Sequence, residues 1–282
     1  MKYITLRNGI KMPILGYGVF QVSKEECERC VLDALKLGYR LIDTAQKYEN
    51  EEEVGNAIAK CGIPREEIFI TTKVWIEFYG YEEAKKSVLE SLKKLKVEYI
   101  DLVLLHQPFN DYYGAYRALE DLYKEGKIRA IGVSNFYPDR FVDLALNVEI
   151  PPFVNQIEIH PLFQRYEEQK WIEKYSCVAE AWSPFGHGRK DMFNNPVIKT
   201  IGDKYDKTVA QVILRWLIQR NIVVIPKSTH IERMKQNFDV FDFTLSKEDM
   251  EMISSLDENT SVFYSHQDPH QAERLIGLYK NK

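Results

Sequence analysis

No stretch of the chain approaches the roughly 18 to 20 consecutive apolar residues that span a bilayer. The opening MKYITLRNGIKMP also lacks the apolar segment of a secretory signal. A cytoplasmic location is the expectation, with no membrane partner. A basic excess is missing as well: 38 Lys and Arg against 42 Asp and Glu leave a formal net charge of −4. Nucleic acid is therefore not an expected partner, and any anion site must be local. Cysteine is scarce, with four in 282 residues, too few for a disulfide scaffold. Cys27 and Cys30 form a C-x-x-C spacing inside an amphipathic helical pattern, not at a strand-to-helix turn, and read as packed helix thiols without a redox or metal role. Linkers rich in Pro, Gly or Ser are absent, and so are internal repeats, so residues 1–282 read as one domain. What remains, 45% hydrophobic and 28% charged, is ordinary for a globular protein.

Apolar runs of β type alternate with helical patterns. The runs cover 14–20, 39–43, 68–74, 100–106, 128–133, 153–159, 177–182 and 222–226. Helical periodicity lies between them. The first helix opens at Ser23 with Glu26 three residues on, a capping-box spacing, and a later one runs from about 82 to 95 with Ala84, Val88, Leu92 and Leu95 on one face. Eight β-then-α units fit either a closed (β/α)8 barrel or an open doubly wound sheet. Glycine decides for the barrel. An open dinucleotide-binding sheet carries G-x-G-x-x-G at its first strand-to-helix turn, whereas Gly16-Tyr17-Gly18 is followed by Val19-Phe20-Gln21 with no third glycine. Ahead of the barrel, Tyr3 to Pro13 with Asn8-Gly9 at its centre predicts a β-hairpin with a type I′ turn. The polar stretches 187–206 and 257–282 read as extra helical and loop segments added to the barrel.

In a (β/α)8 barrel, active groups collect at the C-terminal strand ends and in the loops that follow. Asp43 ends the second strand, Tyr48 follows in its loop, Lys73 ends the third and His106 the fourth. Singly, each has a plainer reading as a structural ion pair, a rim histidine or a surface phenol. Together they form an acid–base set. A free phenol, with a pKa near 10, exchanges protons poorly at neutral pH, and an adjacent ammonium is expected to lower it. Asp43 would keep Lys73 charged and placed, and His106 would steer a carbonyl toward Tyr48.

The motifs GYRLIDTAQKYENEEEVG, IFITTKVW, SLKKLKVEYIDLVLLHQP, GKIRAIGVSNF, NQIEIHP and IPKSTHIERMKQN resemble, in order and spacing, the aldo-keto reductase superfamily. The likeness is closest to compact members that reduce small aldehydes and keto compounds. It implies a (β/α)8 barrel that binds NADPH/NADP+ without a metal, and a catalytic tetrad falling on Asp43, Tyr48, Lys73 and His106. Tyr48 would give a proton to the carbonyl oxygen while hydride passes to the carbonyl carbon. An alcohol dehydrogenase acting mainly in the oxidative direction, and a non-catalytic NADP-binding barrel subunit, are the alternatives. The assembly expected is a monomer or weak dimer.

By the same resemblance, Ser134, Asn135 and Gln156 would hold the nicotinamide carboxamide, and Trp182 would stack on the ring where many relatives have tyrosine. Gly18, Val19, Phe20, Asp43, Ser183, Phe185 and Gly186 complete that side of the cofactor site. Lys227, Ser228, Thr229, Arg233 and Asn237 lie close to a helix start, and Lys227 and Arg233 would meet the 2′-phosphate of NADPH. Gln236 stands where the family often has glutamate against the adenine. The substrate wall would comprise Phe20, Trp75, His106 and Gln107, with Tyr79 or Phe109 and the tail from Phe263 to His270. Gln107 replaces a common tryptophan, which predicts a roomier, more polar side. His160, His187, His230, His266 and His270 need no catalytic role, and Asp268-Pro269 argues against a metal-binding helix between the last two.

Overall fold

The computed structural model describes residues 2–280. A two-stranded antiparallel hairpin comes first, β1 (Tyr3–Thr5) and β2 (Lys11–Pro13). Its turn differs from the expected type I′, which needs positive φ at both central residues. Only Gly9 is positive, at 84°. The Gly9 amide donates to Leu6 O and the Leu6 amide to Ile10 O. The loop is therefore three residues long, with glycine at the one left-handed position.

Eight parallel strands follow: β3 (Tyr17–Gly18), β4 (Leu41–Asp43), β5 (Phe69–Val74), β6 (Leu102–Leu105), β7 (Ile131–Ser134), β8 (Val154–Glu158), β9 (Val178–Trp182) and β10 (Val223–Val224). Each pairs with its neighbour in sequence. The ends of this sheet meet at a parallel Leu15–Val224 bridge, where the Gly16 amide donates to Val224 O and the Gly18 amide to Pro226 O. Close packing explains the two glycines, Gly18 at the seam and Gly16 against β4. A Cβ at Gly18 would lie 2.9 Å from Ile225 O, just after β10, so a side chain there would hold the last strand off the first, whereas a Cβ at Gly16 would lie 1.7 Å from Leu41 Cδ2 of the neighbouring β4.

Helices cover the outside: α1 (Lys24–Leu37), α2 (Glu51–Lys60), α3 (Tyr81–Leu95), α4 (Tyr112–Lys124), α5 (Pro138–Leu146), α6 (Tyr166–Lys174), α7 (Pro196–Tyr205), α8 (Val209–Gln219), α9 (Ile231–Phe238), α10 (Lys247–Ser254) and α11 (Pro269–Lys280). The apolar face expected of α3, Ala84, Val88, Leu92 and Leu95, is buried. Cys27 and Cys30 are buried in α1 as free thiols, and burial lifts the Cys27 pKa to about 12, out of the reactive range. The capping box at Ser23 is not closed: the Ser23 side chain makes no cap bond, and Glu26 turns to Arg29 at 3.1 Å. Thr208 and Gln211 close one instead at α8. Among the described residues, no helix is long and apolar enough to cross a membrane.

Candidate active site

The strand ends deliver the four expected titratable side chains to one place. Asp43 is the last residue of β4, Lys73 lies one residue before the end of β5, and His106 follows β6 directly. Tyr48 closes a single helical turn, Gln46–Tyr48, after β4. Gln46 fixes that turn: its Oε1 accepts from the Trp75 amide (3.0 Å) and its Nε2 donates to Ser87 and Ser91 Oγ. Asn50 holds the far side, accepting from Thr44 Oγ1 at 2.8 Å and donating to Val19 O at 3.1 Å. These two amides have little signal in a one-dimensional reading, since all their partners named here except Thr44 are distant in sequence.

Lys73 is fully buried at 0% exposure, and all three of its ammonium hydrogens are directed. They go to Asp43 Oδ1 at 2.6 Å, the Thr44 carbonyl at 3.0 Å and the Tyr48 hydroxyl oxygen at 3.3 Å. Burial alone would lower the Lys73 pKa, but Asp43 and Tyr48 outweigh it and the net direction is up. The residue is a fixed cation. Tyr48 accepts from Lys73, so its own O–H is left to point elsewhere. Its pKa is raised, opposite to the expectation: burial is the largest cause, Lys73 pulls it back, and Asp43 pushes up again. The phenol is therefore protonated at neutral pH, ready to act as an acid.

His106 stands edge-on to both Tyr48 (5.7 Å between ring centroids) and Trp75 (5.1 Å). Burial, then the charge of Lys73, then His266, holds its pKa well below 6.5, so the imidazole is neutral. Its Nδ1 is buried without a partner. Phe20, exposed at 44%, lies 5.0 Å from Tyr48 and walls the opening.

A chain of side-chain hydrogen bonds links the tetrad to the residues expected to hold a cofactor. Gln156 Nε2 donates to Asp43 Oδ2 at 2.9 Å, Ser134 Oγ to Gln156 O at 2.8 Å, and Asn135 Nδ2 to His106 O at 3.0 Å. The half-buried Trp182 donates its indole N–H to Asn135 Oδ1 at 2.8 Å. Asn135 and Ser183 both leave their strands at positive φ, 66° and 52°, and Ser183 Oγ is buried with no partner. Phe185 and Gly186 continue this loop. Strained, unsatisfied polar groups at strand exits are where ligand contacts concentrate.

Farther round the rim, α9 starts at Ile231 with no side-chain cap on its free amides. Lys227, Arg233 and Gln236 are exposed beside it. Nearby Lys207 is already engaged by Asp239 (2.9 Å) and Asp242 (2.7 Å), but Lys227 and Arg233 form no ion pair among the described residues. Ser228 is buried, its carbonyl accepting from Tyr17 O–H at 2.6 Å, while Thr229 is half-buried and Asn237 is one of the buried residues of α9. An uncapped helix start with two free cations fits a phosphate.

Gln107 departs from the roomy corner expected of it. It is 5% exposed, its Oε1 lies 2.9 Å from His266 Nε2, and Tyr79 O–H donates to its carbonyl at 2.8 Å. His266, dismissed on sequence, thus ties the C-terminal segment to the His106 strand end. Burial, then Arg165 and Arg140, lowers its pKa to about 3, so it is neutral. The helix following it begins at Pro269, and no helix spans His266 and His270. A second tie comes from Glu158, which accepts from Ser261 Oγ (2.6 Å) and the Val262 amide (3.1 Å) and meets His160 at 3.0 Å. Phe263 then packs on Trp182 with 5.3 Å between centroids.

Comparison with known proteins agrees with this fold. The model of the Aldo/keto reductase family matches residues 14–258. The glyoxal reductase of Bacillus subtilis is 46% identical over 92% of this chain and 94% of its own length. An aldo-keto reductase enzyme from a Medee basin deep-sea metagenome library has the same fold, with a TM-score of 0.92 at 46% identity, covering 94% of this chain and 98% of that one. A Bombyx mori aldo-keto reductase solved in complex with NADP gives 0.89 at 34% identity, over 93% and 95%.

Proposed function

The chain belongs to the aldo/keto reductase family, and from that premise we propose that Tyr48 is its proton donor, Lys73 and Asp43 its electrostatic support, and His106 the group that orients the carbonyl. The reaction is NADPH-dependent reduction of an aldehyde or ketone to an alcohol. When bound, the dinucleotide supplies a hydride to the carbonyl carbon.

The observation that carries the assignment is the triple engagement of Lys73. With its three hydrogens given to Asp43, Thr44 and Tyr48, the lysine cannot turn toward a substrate, and its charge falls on the Tyr48 oxygen. As negative charge develops on the carbonyl oxygen, Tyr48 passes its proton there and its own oxygen gains charge beside the ammonium. Neutral His106 donates a hydrogen bond without competing for that proton. Buried Asp43 keeps Lys73 ionised and never meets the substrate.

Ser134, Asn135, Gln156, Trp182 and the Ser183 loop would hold the nicotinamide end, with Gly18, Val19 and Phe20 opposite. Lys227, Ser228, Thr229, Arg233, Gln236 and Asn237 would hold the 2′-phosphate and adenine. Phe20, Trp75, His106 and Gln107 form an aromatic site with one polar corner, which suits small carbonyl compounds; the dicarbonyl glyoxal, named for the Bacillus relative, is the first substrate to try. Residues 1–282 act as one domain, in the cytoplasm, as a monomer or weak dimer.

NADPH oxidation over a panel of small aldehydes and ketones tests this. Tyr48→Phe is expected to lower kcat by about 10²- to 10⁴-fold, the usual contribution of a positioned acid, while NADPH affinity measured by fluorescence stays within a few-fold. A Tyr48→Phe protein that keeps its rate rejects Tyr48 as the donor.

A further inference from the structure

Beneath the Asp43–Lys73 pair lies a second carboxylate that the mechanism does not use. Glu180 sits in the middle of β9, in register with Gln156 of β8 on one side and Val223 of β10 on the other. Gln156 points into the barrel, because its amide reaches Asp43, and Glu180 shares that register position. It is 0% exposed, and neither carboxyl oxygen has a well-formed hydrogen bond. Gln156 lies close enough to favour the charged form somewhat, but the geometry gives its N–H to Asp43 at 2.9 Å.

The barrel interior at this level thus holds two carboxyls and one ammonium. Lys73 has no hydrogen left for Glu180, since Asp43, Thr44 and Tyr48 take all three. Asp43 receives both Lys73 and Gln156 and is the carboxylate the site is built to solvate. A second anion would be buried without a donor, which is strongly unfavourable. The titratable groups facing Glu180 are Asp43, Lys73 and Tyr48, one from β4, one from β5 and one from the turn after β4.

We propose that Glu180 is a positioning residue for the reduction: it stands neutral under the Asp43–Lys73 pair, and by gaining charge in alkali it strengthens the hold of Tyr48 on its proton. In the neutral form the cluster is balanced, one carboxylate against one ammonium, and Tyr48 is at its most acidic. When Glu180 ionises, the cluster carries an unmatched negative charge that raises the proton affinity of both Tyr48 and Lys73. Burial, then Asp43, places that change near pH 8, well before the phenol itself titrates. This rests on Tyr48 as the donor, and it predicts an alkaline fall of the reductive rate set by a residue that never contacts substrate.

Two measurements on the full-length protein decide it. Infrared difference spectra of the free protein follow the carbonyl stretch of a protonated carboxyl. Wild type is expected to show a band at pH 6.5 that is lost with a midpoint near 8, absent in Glu180→Gln. Rate profiles with NADPH and a small aldehyde, from pH 6 to 10, give the kinetic arm. The ratio of kcat in Glu180→Gln to wild type should climb by roughly 3- to 10-fold across pH 8, as expected for one added charge acting on a general acid, while Glu180→Asp keeps the wild-type limb. Superimposable profiles, or a wild-type protein without the titrating band, overturn the proposal. The band is read without cofactor or turnover, so loss of the donor reading through an active Tyr48→Phe is distinguishable from failure here; Glu180→Met serves if the glutamine variant does not fold.

Discussion

Lys73 has three ammonium hydrogens and three partners, and its value to the site depends on their all being present. Removing it leaves Asp43 buried with one donor, Gln156, and a negative charge with nothing against it. Breaking one side of a buried ion pair typically destabilises by about 3–5 kcal/mol, whereas replacing both sides is far milder. Lys73→Met is therefore expected to lower unfolding free energy by about that amount in urea titrations, and the double variant Asp43→Asn/Lys73→Met to recover most of it. Additive losses would show that the pair is not coupled. The rate should stay low in both, because Tyr48 loses its ammonium either way. At this scale the meeting of Asp43, Tyr48, Lys73 and His106 was legible in sequence: three stand at or next to strand ends and Tyr48 in the turn after one, and strand ends are readable from periodicity. Gln46, Asn50 and Glu180 were not, because each acquires meaning only from the fold that brings it to its neighbours: Gln46 to Trp75, Asn50 to Thr44 and Val19, Glu180 to Asp43.

At the scale of elements, α9 carries the proposed phosphate contacts. Its uncapped start and the exposed cations Lys227 and Arg233 would supply the proposed anion site in a chain that is acidic overall. A charged hydrogen bond contributes about 1.5–3 kcal/mol, so Arg233→Ala and Lys227→Ala should each weaken NADPH binding by roughly 10- to 100-fold while changing NADH little. Fluorescence titration with both dinucleotides measures this directly. Both sites are exposed, so the preference should shrink as salt rises through the Debye range. Equal loss for the two dinucleotides would place the 2′-phosphate elsewhere. Element positions were the most readable level of the sequence, since α3 and the inner strands follow their periodicities closely. Terminal details were less so: a capping-box spacing at Ser23 is only an option, and Glu26 finds Arg29 instead. Turn type at Asn8-Gly9 was likewise open, because the dipeptide permits I′ geometry without requiring it.

The whole molecule is a barrel whose first and last strands meet at the Leu15–Val224 bridge, and the titratable groups buried inside it make stability depend on pH. Glu180 has a folded pKa of about 8 against 4.5 for the exposed side chain. Between those values the unfolded chain binds fewer protons at this residue than the folded one, so unfolding free energy falls as pH rises. The sign follows: the neutral form contributes fully below about pH 4.5, its contribution declines toward pH 8, and above that the loss is constant. Glu180→Gln cannot titrate and should show none of this slope. Other groups titrate over the same interval in both proteins, so the informative quantity is the difference between them. Its absolute offset reflects how a buried amide fits, but its change with pH does not. Tm of Glu180→Gln minus Tm of wild type is therefore expected to become steadily more positive from pH 5 to 8 and then level off. A flat difference would mean that Glu180 has an ordinary carboxylate pKa in the folded barrel and that Asp43 does not stand alone as its anion.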